Sequence, residues 1–288
     1  MKRLAAAFLT CLLAAVATPA LALPPVWVVR DANSTIVIFG SVHLLPNGLD
    51  WRPPELAEAL AKADDVWFEL PINDATEVEA ARLAQARGML PAKETIWMHL
   101  TPAQGERLRQ VAERLHIYVP ALEHMRPWLA EVTLSVIADG LAGATSSDGV
   151  EHQLEALAPP TARRHAFETP AQQIDFLAGA AMSDQIASLE QTLEELEKEP
   201  DLYQRIVQDW LDGDVAAIEA QVLDPVRHAS PALFKRLITD RNRRWAHVVA
   251  RRMAGSGRTV IVVGMGHLVG PGGLPALLRA RGFTVEGP

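Results

Sequence analysis

The sequence predicts an α/β fold in which the N- and C-terminal parts form a central mixed sheet, with a large helical insertion between them. Apolar strand patterns lie near both ends of the 288-residue chain, and residues 35–44 are echoed by residues 259–268. The residues between these ends have mostly helical patterns and contain no low-complexity linker. Strand, helix and strand follow one another near the N-terminus, which favours the α/β class.

The repeated segment is the most informative of these observations. Each copy has a Thr, four large apolar residues, a Gly, two spacers, a His and a Leu, and the copies are 224 positions apart (259 − 35 and 267 − 43). Each copy is typical of a buried strand that ends at a Gly and places a histidine just beyond its C-terminal end. Side by side, two such strands bring His43 and His267 into one pocket, at the edge where open α/β sheets usually bind ligands.

The other elements follow from local patterns. Apolar runs predict strands at 26–30, 35–39, 65–70, 163–167, 259–263 and 283–286. Amphipathic runs that begin at Pro, Asp or Gly predict helices at 53–62, 75–87, 102–115, 127–138, 149–157, 170–198, 215–222, 230–253 and 272–281. Because the two repeat strands need each other, we predict a single domain over residues 23–288.

Residues 1–22 are typical of a secretory signal peptide. Lys2 and Arg3 precede an apolar run over residues 4–16, and residues 20–22 form a small-residue cleavage pattern that ends at Ala22. The run is shorter than the roughly 20 residues that a membrane span needs, and no second run of that length follows. The sequence therefore predicts a periplasmic or secreted protein with no membrane span in the mature chain. The single cysteine, Cys11, lies in the signal, so no disulfide is expected.

The charge of the chain argues against a nucleic-acid partner. The formal net charge is −8, and it becomes −10 when Lys2 and Arg3 leave with the signal peptide. A net-acidic protein is a poor candidate for general nucleic-acid binding. The chain also has no Gly-Lys-Ser/Thr phosphate loop and no Gly-x-Ser-x-Gly nucleophile elbow. A peptide or a small molecule is the expected substrate. The sequence leaves open whether the protein forms a homodimer.

Glu69 is the third candidate site residue. It ends the apolar strand at 65–70, and if this strand lies beside residues 35–39, Glu69 shares a sheet edge with His43. Two histidines and a carboxylate are a ligand set for a divalent metal with an open position. The same trio can also carry out acid–base catalysis without a metal, because histidine titrates near neutral pH. The residue types alone do not distinguish these two chemistries.

Three more polar residues are candidates. Arg241 and Asn242 lie about three turns before the end of their predicted helix, where the macrodipole does not call for a cation, whereas it accounts for Arg251 and Arg252. An arginine in such a place can bind a substrate carboxylate or stabilise an oxyanion. Glu168 follows a short apolar segment and is a second candidate carboxylate.

Together these residues resemble the TraB/GumN family, whose relatives include the Tiki metalloproteases. The matching motifs are Phe39-Gly40-Ser41-Val42-His43, Gly48-Leu49-Asp50-Trp51, Glu69, Gly149-Val150 with His152, Glu168-Thr169, Arg241-Asn242 with Trp245, and Gly264-Met265-Gly266-His267-Leu268. The resemblance implies a fold related to the erythromycin-esterase and ChaN group, and a metal-dependent hydrolase site at His43, Glu69 and His267. One departure concerns the site, since Glu151 stands where Asp is common.

The leading hypothesis is an exported, metal-dependent hydrolase, first of all a Tiki-like metallopeptidase. His43 and His267 bind Mn²⁺, Co²⁺ or Zn²⁺, and Glu69 is a ligand or the general base on a metal-bound water. Arg241 orients the substrate or polarises its carbonyl, with Asn242 in support. Two alternatives stay open: a module that sequesters a peptide or haem-like ligand without turnover, and an accessory protein of envelope polysaccharide production.

Overall fold

The computed structural model describes residues 23–288. The signal peptide predicted for residues 1–22 lies outside the described residues. No helix in the described part is both long enough and apolar enough to cross a membrane.

Six strands of the described chain form one mixed sheet, and two short strands form a separate antiparallel pair. The strands are β1 (Val26–Arg30), β2 (Ser34–Ser41), β3 (Leu45–Pro46), β4 (Asp65–Phe68), β5 (Ala144–Thr145), β6 (Arg163–Ala166), β7 (Gly257–Gly264) and β8 (Val285–Glu286). The order of the large sheet is β6-β4-β7-β2-β1-β8, so the first and last parts of the chain build its centre. The predicted fold class is confirmed.

Four neighbouring strands of this sheet, β6, β4, β7 and β2, run parallel, while β1 is antiparallel to both β2 and β8. The predicted neighbourhood of the two repeat strands, β2 and β7, is therefore confirmed. Strand β4 lies beside β7 rather than beside β2, so the strand of Glu69 is one position further from His43 than the sequence analysis assumed. Because the four strands are parallel, their C-terminal ends still meet at one edge of the sheet.

The register between the repeat strands differs from the repeat itself. Thr35 pairs with Arg258, an offset of 223 (258 − 35) rather than 224. Since side chains alternate between the two faces of a sheet, a slip of one residue places equivalent residues of the two copies on opposite faces. Gly40 accordingly makes room for Met265, whereas Gly264 makes room for Glu69 and His43. The duplicated sequence does not produce a symmetric site.

Helices surround the sheet and form the insertion. They are α1 (Pro54–Ala61), α2 (Asp74–Gly88), α3 (Pro102–Arg114), α4 (Pro127–Leu141), α5 (Val150–Leu157), α6 (Pro170–Ala178), α7 (Met182–Lys198), α8 (Leu202–Asp212), α9 (Val215–Ile218), α10 (Asp224–Ala229), α11 (Pro231–Phe234), α12 (Asp240–Met253) and α13 (Leu274–Arg279). Short 3₁₀ turns lie at Ile96–Met98, Val119–Leu122 and Met265–His267, and π-helical turns lie at Glu219–Leu223 and Lys235–Thr239.

Two hydrophobic clusters correspond to the sheet and to the insertion. The larger one covers both faces of the sheet, and the smaller one joins α3, α4 and α7 through residues such as Leu108, Leu134 and Leu189. An aromatic group connects α8 to the sheet: Trp210 lies 6.1 Å from Phe39 and 5.6 Å from Trp51 between ring centroids. Its indole N–H also donates to the Gly40 carbonyl at 2.9 Å. Helix α8 is absent from the sequence prediction.

The prediction of a single helix over residues 170–198 is wrong in one respect, because two helices, α6 and α7, occupy this segment. Arg236 donates hydrogen bonds to the carbonyls of Asp175 and Phe176 in the last turn of α6. A side chain at Gly179 would collide with the same guanidinium. This tertiary contact ends α6, whereas the local sequence carries only a glycine, which helices tolerate at a modest cost.

Asp65 begins β4 at the end of the sheet opposite to the candidate residues. Its carboxylate is 2% exposed and accepts hydrogen bonds from Arg163 at 2.7 and 2.9 Å, from His165 at 2.9 Å and from Arg252 at 2.9 Å. Arg252, which the sequence analysis assigned to the helix macrodipole, therefore has a buried partner. Asp65 organises the structural end of the sheet.

Replacing this carboxylate tests that role. The Asp65→Asn substitution should lower the free energy of unfolding by roughly 2 kcal/mol, because hydrogen bonds from charged donors lose their anionic acceptor. Asp64→Asn is the matched control, since the neighbouring Asp64 side chain is 47% exposed, and it should cost less than about 1 kcal/mol. Urea denaturation of both variants measures the difference, and equal costs would contradict the structural role of Asp65.

Candidate functional site

The four parallel strands each deliver one polar side chain to the same edge of the sheet. His43 follows β2, Glu69 follows β4, Glu168 follows β6 and His267 follows β7. Glu69, Glu168 and His267 are 5–9% exposed, whereas the His43 side chain is 61% exposed. The structure thus brings together the three predicted metal ligands and the second predicted carboxylate.

Arg241 joins this edge from α12 and occupies its centre. Its guanidinium donates to Glu168 Oε1 and Oε2 at 2.8 and 2.7 Å, and to Glu69 Oε2 at 2.5 Å. It also donates to His267 Nε2 at 2.9 Å and to the Leu237 carbonyl at 3.1 Å. A guanidinium has five N–H donors, so every one of them has an acceptor.

Aromatic side chains enclose the same guanidinium. The centroid of the Trp245 ring lies 4.8 Å from the Arg241 carbon Cζ, and that of Phe176 lies 5.3 Å away. Trp245 also donates its indole N–H to Glu168 Oε1 at 3.1 Å. The cation is therefore fixed by carboxylates around its edge and by rings on its faces.

His267 is neutral and its tautomer follows from its partners. Nε2 accepts the hydrogen bond from Arg241, so the proton is on Nδ1, which donates to Asn242 Oδ1 at 2.6 Å. The Asn242 amide is itself oriented by bonds to the His267 and Gly272 carbonyls at 3.2 and 2.8 Å. Burial and the charges of Arg241 and His43 outweigh the attraction of Glu69 and lower the pKa of His267 to about 3. Asn242 thus positions a ring that carries no charge at neutral pH.

Glu69 is ionised and accepts hydrogen bonds from three residues. Oε1 accepts the backbone N–H of Gly264 at 2.7 Å, and Oε2 accepts Arg241 and, at 3.1 Å, Gln173. Burial opposes the charge, but the attraction of His267, Arg241 and His43 and the Gly264 hydrogen bond lower the pKa of Glu69 to about 2. Since His267 is neutral above about pH 3, Arg241 and His43 supply the positive charge at neutral pH.

His43 differs from His267 in its exposure and in its charge at neutral pH. Its Nδ1 lies 2.6 Å from Glu151 Oε1, which also accepts the Ser41 hydroxyl at 2.5 Å. Attraction to the Glu151 carboxylate raises the pKa of His43 to about 9. A Cβ on Gly264 would lie 3.4 Å from His43 Nε2 and 3.2 Å from Glu69 Oε1, so both atoms face the same bare backbone.

Glu151 is the functional residue that the sequence reasoning missed. The sequence signal was the family motif, in which Glu151 marked only a departure from Asp. It lies in the first turn of α5, which packs so closely beneath His43 that a Cβ on Gly149 would lie 2.0 Å from the His43 carbonyl oxygen. Ser41, a spacer of the repeated motif, and Gln173, which has no distinctive sequence pattern, are two more site contacts. His152 bonds to Glu77 at the surface instead, as expected of a structural histidine.

A cavity of about 530 Å³ opens onto this cluster. His43, Glu69, Arg241 and His267 line it on the side of the sheet. The opposite walls come from α4, α7, α8 and the segment between α9 and α12, and many of their lining side chains are apolar. The volume is that of a small-molecule or peptide side-chain pocket.

The chain is similar to known proteins over most of its length. Its sequence matches the TraB/PrgY/gumN family over residues 25–287. The chain belongs to this family. It is 23% identical over 258 residues to the uncharacterized protein YbaP of Escherichia coli (strain K12), covering 89% of this chain and 92% of that protein. The YbaP protein of Shigella flexneri is similar to the same extent, and no solved structure matches the chain significantly.

The predicted metal ligands do not fit a metal as their side chains stand. Each imidazole is oriented through Nδ1 by an oxygen acceptor, which is usual for metal-ligating histidines. However, Arg241 donates to His267 Nε2 and to Glu69 Oε2, the atoms that would face the ion. Within residues 23–288, no group of three or more His, Cys, Asp or Glu side chains is arranged to hold a metal. Arg241 provides the positive charge at this position.

The central role of Arg241 is testable through stability. Arg241→Met should lower the free energy of unfolding by roughly 3–5 kcal/mol, because it leaves two buried carboxylates without their cation. Arg244→Met is the control: this arginine lies on the same helix, its side chain is 52% exposed, and its nearest approach to Glu168 is 4.0 Å. It should cost less than about 1 kcal/mol. Chemical denaturation that gives equal losses would contradict the proposed geometry.

Proposed function

We propose that this protein is a hydrolase of the cell envelope, with peptide bonds as its first candidate substrates. The observation that carries the proposal is His43, which lines the cavity, whose Nδ1 bonds to Glu151 and whose Nε2 lies beside the bare backbone of Gly264. An oriented imidazole that borders a substrate-sized cavity is a candidate general base. Export, predicted from residues 1–22, is part of the proposal and places the reaction in the periplasm or outside the cell.

The reaction that this arrangement supports begins at His43. In its neutral form, Nε2 removes a proton from a water molecule whose oxygen bonds to the substrate carbonyl carbon. Negative charge then develops on the carbonyl oxygen, and Arg241, which lines the cavity, acts on it through its charge alone, because its five N–H donors already have acceptors. As the carbon–nitrogen bond breaks, the His43 imidazolium returns the proton to the leaving amine. Glu69, Glu168 and His267 keep Arg241 in place throughout.

The divalent metal at His43, Glu69 and His267 stays a prediction. Its support is the anchoring of both imidazoles through Nδ1. Elemental mass spectrometry of the purified protein tests it, beside the His43→Ala and His267→Ala variants. Near-stoichiometric Mn, Co or Zn that is lost in both variants would establish a metal at these residues. Metal-free protein that is active in the presence of a chelator would establish the route through His43 and Arg241.

Activity should depend on His43 far more than on a surface histidine. His43→Ala should lower kcat/KM by roughly 10²–10⁴-fold, the usual contribution of a general base. His152→Ala is the control, because this residue bonds to Glu77 and does not line the cavity, and it should leave kcat/KM within about twofold of the wild-type value. The assay is product detection by mass spectrometry with a peptide library. Retained peptide without any product would instead indicate a binding module.

The pH profile should report the Glu151–His43 pair. Because the reaction needs neutral His43 and its pKa is raised to about 9, activity should rise with pH and level off above that value. Glu151→Gln removes the charge that raises this pKa, so the rising limb should move to lower pH. Glu155→Gln, one turn further along α5 and bonded to Arg164, should leave the limb in place. If the rising limb of the pH profile lies at the same pH in Glu151→Gln as in the wild type, Glu151 does not position His43.

A further inference from the structure

The polarity of the residues that line the cavity changes from the sheet to the helical insertion. At the sheet it holds the polar cluster of the proposed site, whereas its middle is lined by Leu196, Leu202, Ile206, Val222, Val226 and Ile238. A volume of about 530 Å³ accommodates several side chains of a bound molecule. Burying apolar groups there favours binding. The group next to the bond that reacts is therefore expected to be apolar.

The insertion side of the cavity carries carboxylates. Asp139 projects from α4 and Glu195 from α7, and both line the cavity. Burial alone raises the pKa of Asp139 to about 6. Burial also raises the pKa of Glu195, and the neighbouring Glu199 and Glu194 add to the rise. Glu195 accepts a hydrogen bond from the neutral amide of Gln191 at 3.1 Å.

The positively charged groups that line the cavity already have anionic partners. Among the lining residues of the described chain these are Arg241 and His43. Arg241 lies between Glu69 and Glu168, and His43 pairs with Glu151. Glu199, at the same rim, pairs with Arg205. Asp139 and Glu195 are left with no cationic partner within residues 23–288, so the cavity is complementary to an added positive charge.

We propose that the substrate is a cationic amphipathic peptide, in which apolar side chains beside the scissile bond fill the cavity and an ammonium or guanidinium group pairs with the carboxylate of Asp139 or of Glu195. An anionic group in the same place would meet like charges in a partly desolvated wall. The cleavage step rests on the proposed function, but the binding preference does not. Asp139 and Glu195 are then specificity-determining residues rather than catalytic ones.

Binding by the His43→Ala variant tests the preference without turnover. Three fluorescent peptides share a leucine-rich segment and differ at one flanking position, which is Lys, norleucine or Glu, and fluorescence polarisation gives each Kd. The Lys peptide should bind at least about tenfold more tightly than the Glu peptide, as expected for a charge-assisted contact. Equal affinities would overturn the proposal. An unchanged Kd after the leucines are replaced by serine would also overturn it.

Variants of the cavity wall locate the preference. Asp139→Asn and Glu195→Gln, combined in the His43→Ala background, should reduce the Lys-over-Glu ratio to about twofold while the Kd of the norleucine peptide stays the same. Glu194→Gln is the matched control, because this neighbour on α7 does not line the cavity, and it should keep the ratio. An unchanged ratio in the double variant would overturn the assignment. Since the peptide series uses unaltered walls, the proposal remains testable even if the double variant does not fold.

The two proposals fail in different ways. If wild-type protein binds the Lys peptide preferentially but releases no product, the hydrolase proposal fails and the binding preference stands. If wild-type protein cleaves the three peptides with equal kcat/KM and binds them equally, the hydrolase stands and the cationic specificity is wrong.

Discussion

The buried guanidinium of Arg241 is the interaction on which the candidate site depends. It bonds to residues that follow three different strands, namely Glu69 after β4, Glu168 after β6 and His267 after β7. Burying a charge is costly unless it is paired and hydrogen-bonded, and here five donors meet five acceptors. The ends of the parallel strands and helix α12 are consequently fixed relative to one another. This fixed positive charge lines the cavity.

This charge also explains why two copies of one motif behave differently. His267 is buried against Arg241 and must accept its hydrogen bond, so its pKa falls to about 3. His43 is largely exposed and faces Glu151, so its pKa rises to about 9. One imidazole is thus a neutral acceptor inside the cluster, and the other is the titrating group that meets the cavity. The one-residue difference between the repeat and the strand register underlies this asymmetry.

The helical insertion contributes the substrate side of the site. Its helices α4 and α7 share a hydrophobic cluster that is separate from the core of the sheet. The cavity lies between these two clusters and is lined by residues from both. The fold therefore keeps two tasks apart, because the rigid sheet edge holds the polar groups whereas the insertion shapes the apolar walls.

Much of this protein could be inferred from its sequence alone. The repeated strand–Gly–x–x–His pattern identified β2 and β7 as neighbours, and apolar periodicity identified most of the helices. Both signals can be read from short stretches of the sequence. The repeat also named His43 and His267, and the end of the apolar strand at 65–70 named Glu69. The position of Arg241 within its helix marked it as unusual. The family resemblance followed from these residues and was confirmed by the match over residues 25–287.

What only the tertiary structure decided depends on distant parts of the chain. The break after α6 depends on Arg236, about 60 residues away. The partner of His43 is Glu151, 108 positions along the chain. The contact of Arg241 with both Glu69 and His267 joins residues that are 172 and 26 positions away from it. A sequence lists the groups that can ionise or accept hydrogen bonds. Which groups meet, and so which of them carry charge, is set by burial and proximity, and these exist only once the chain has folded.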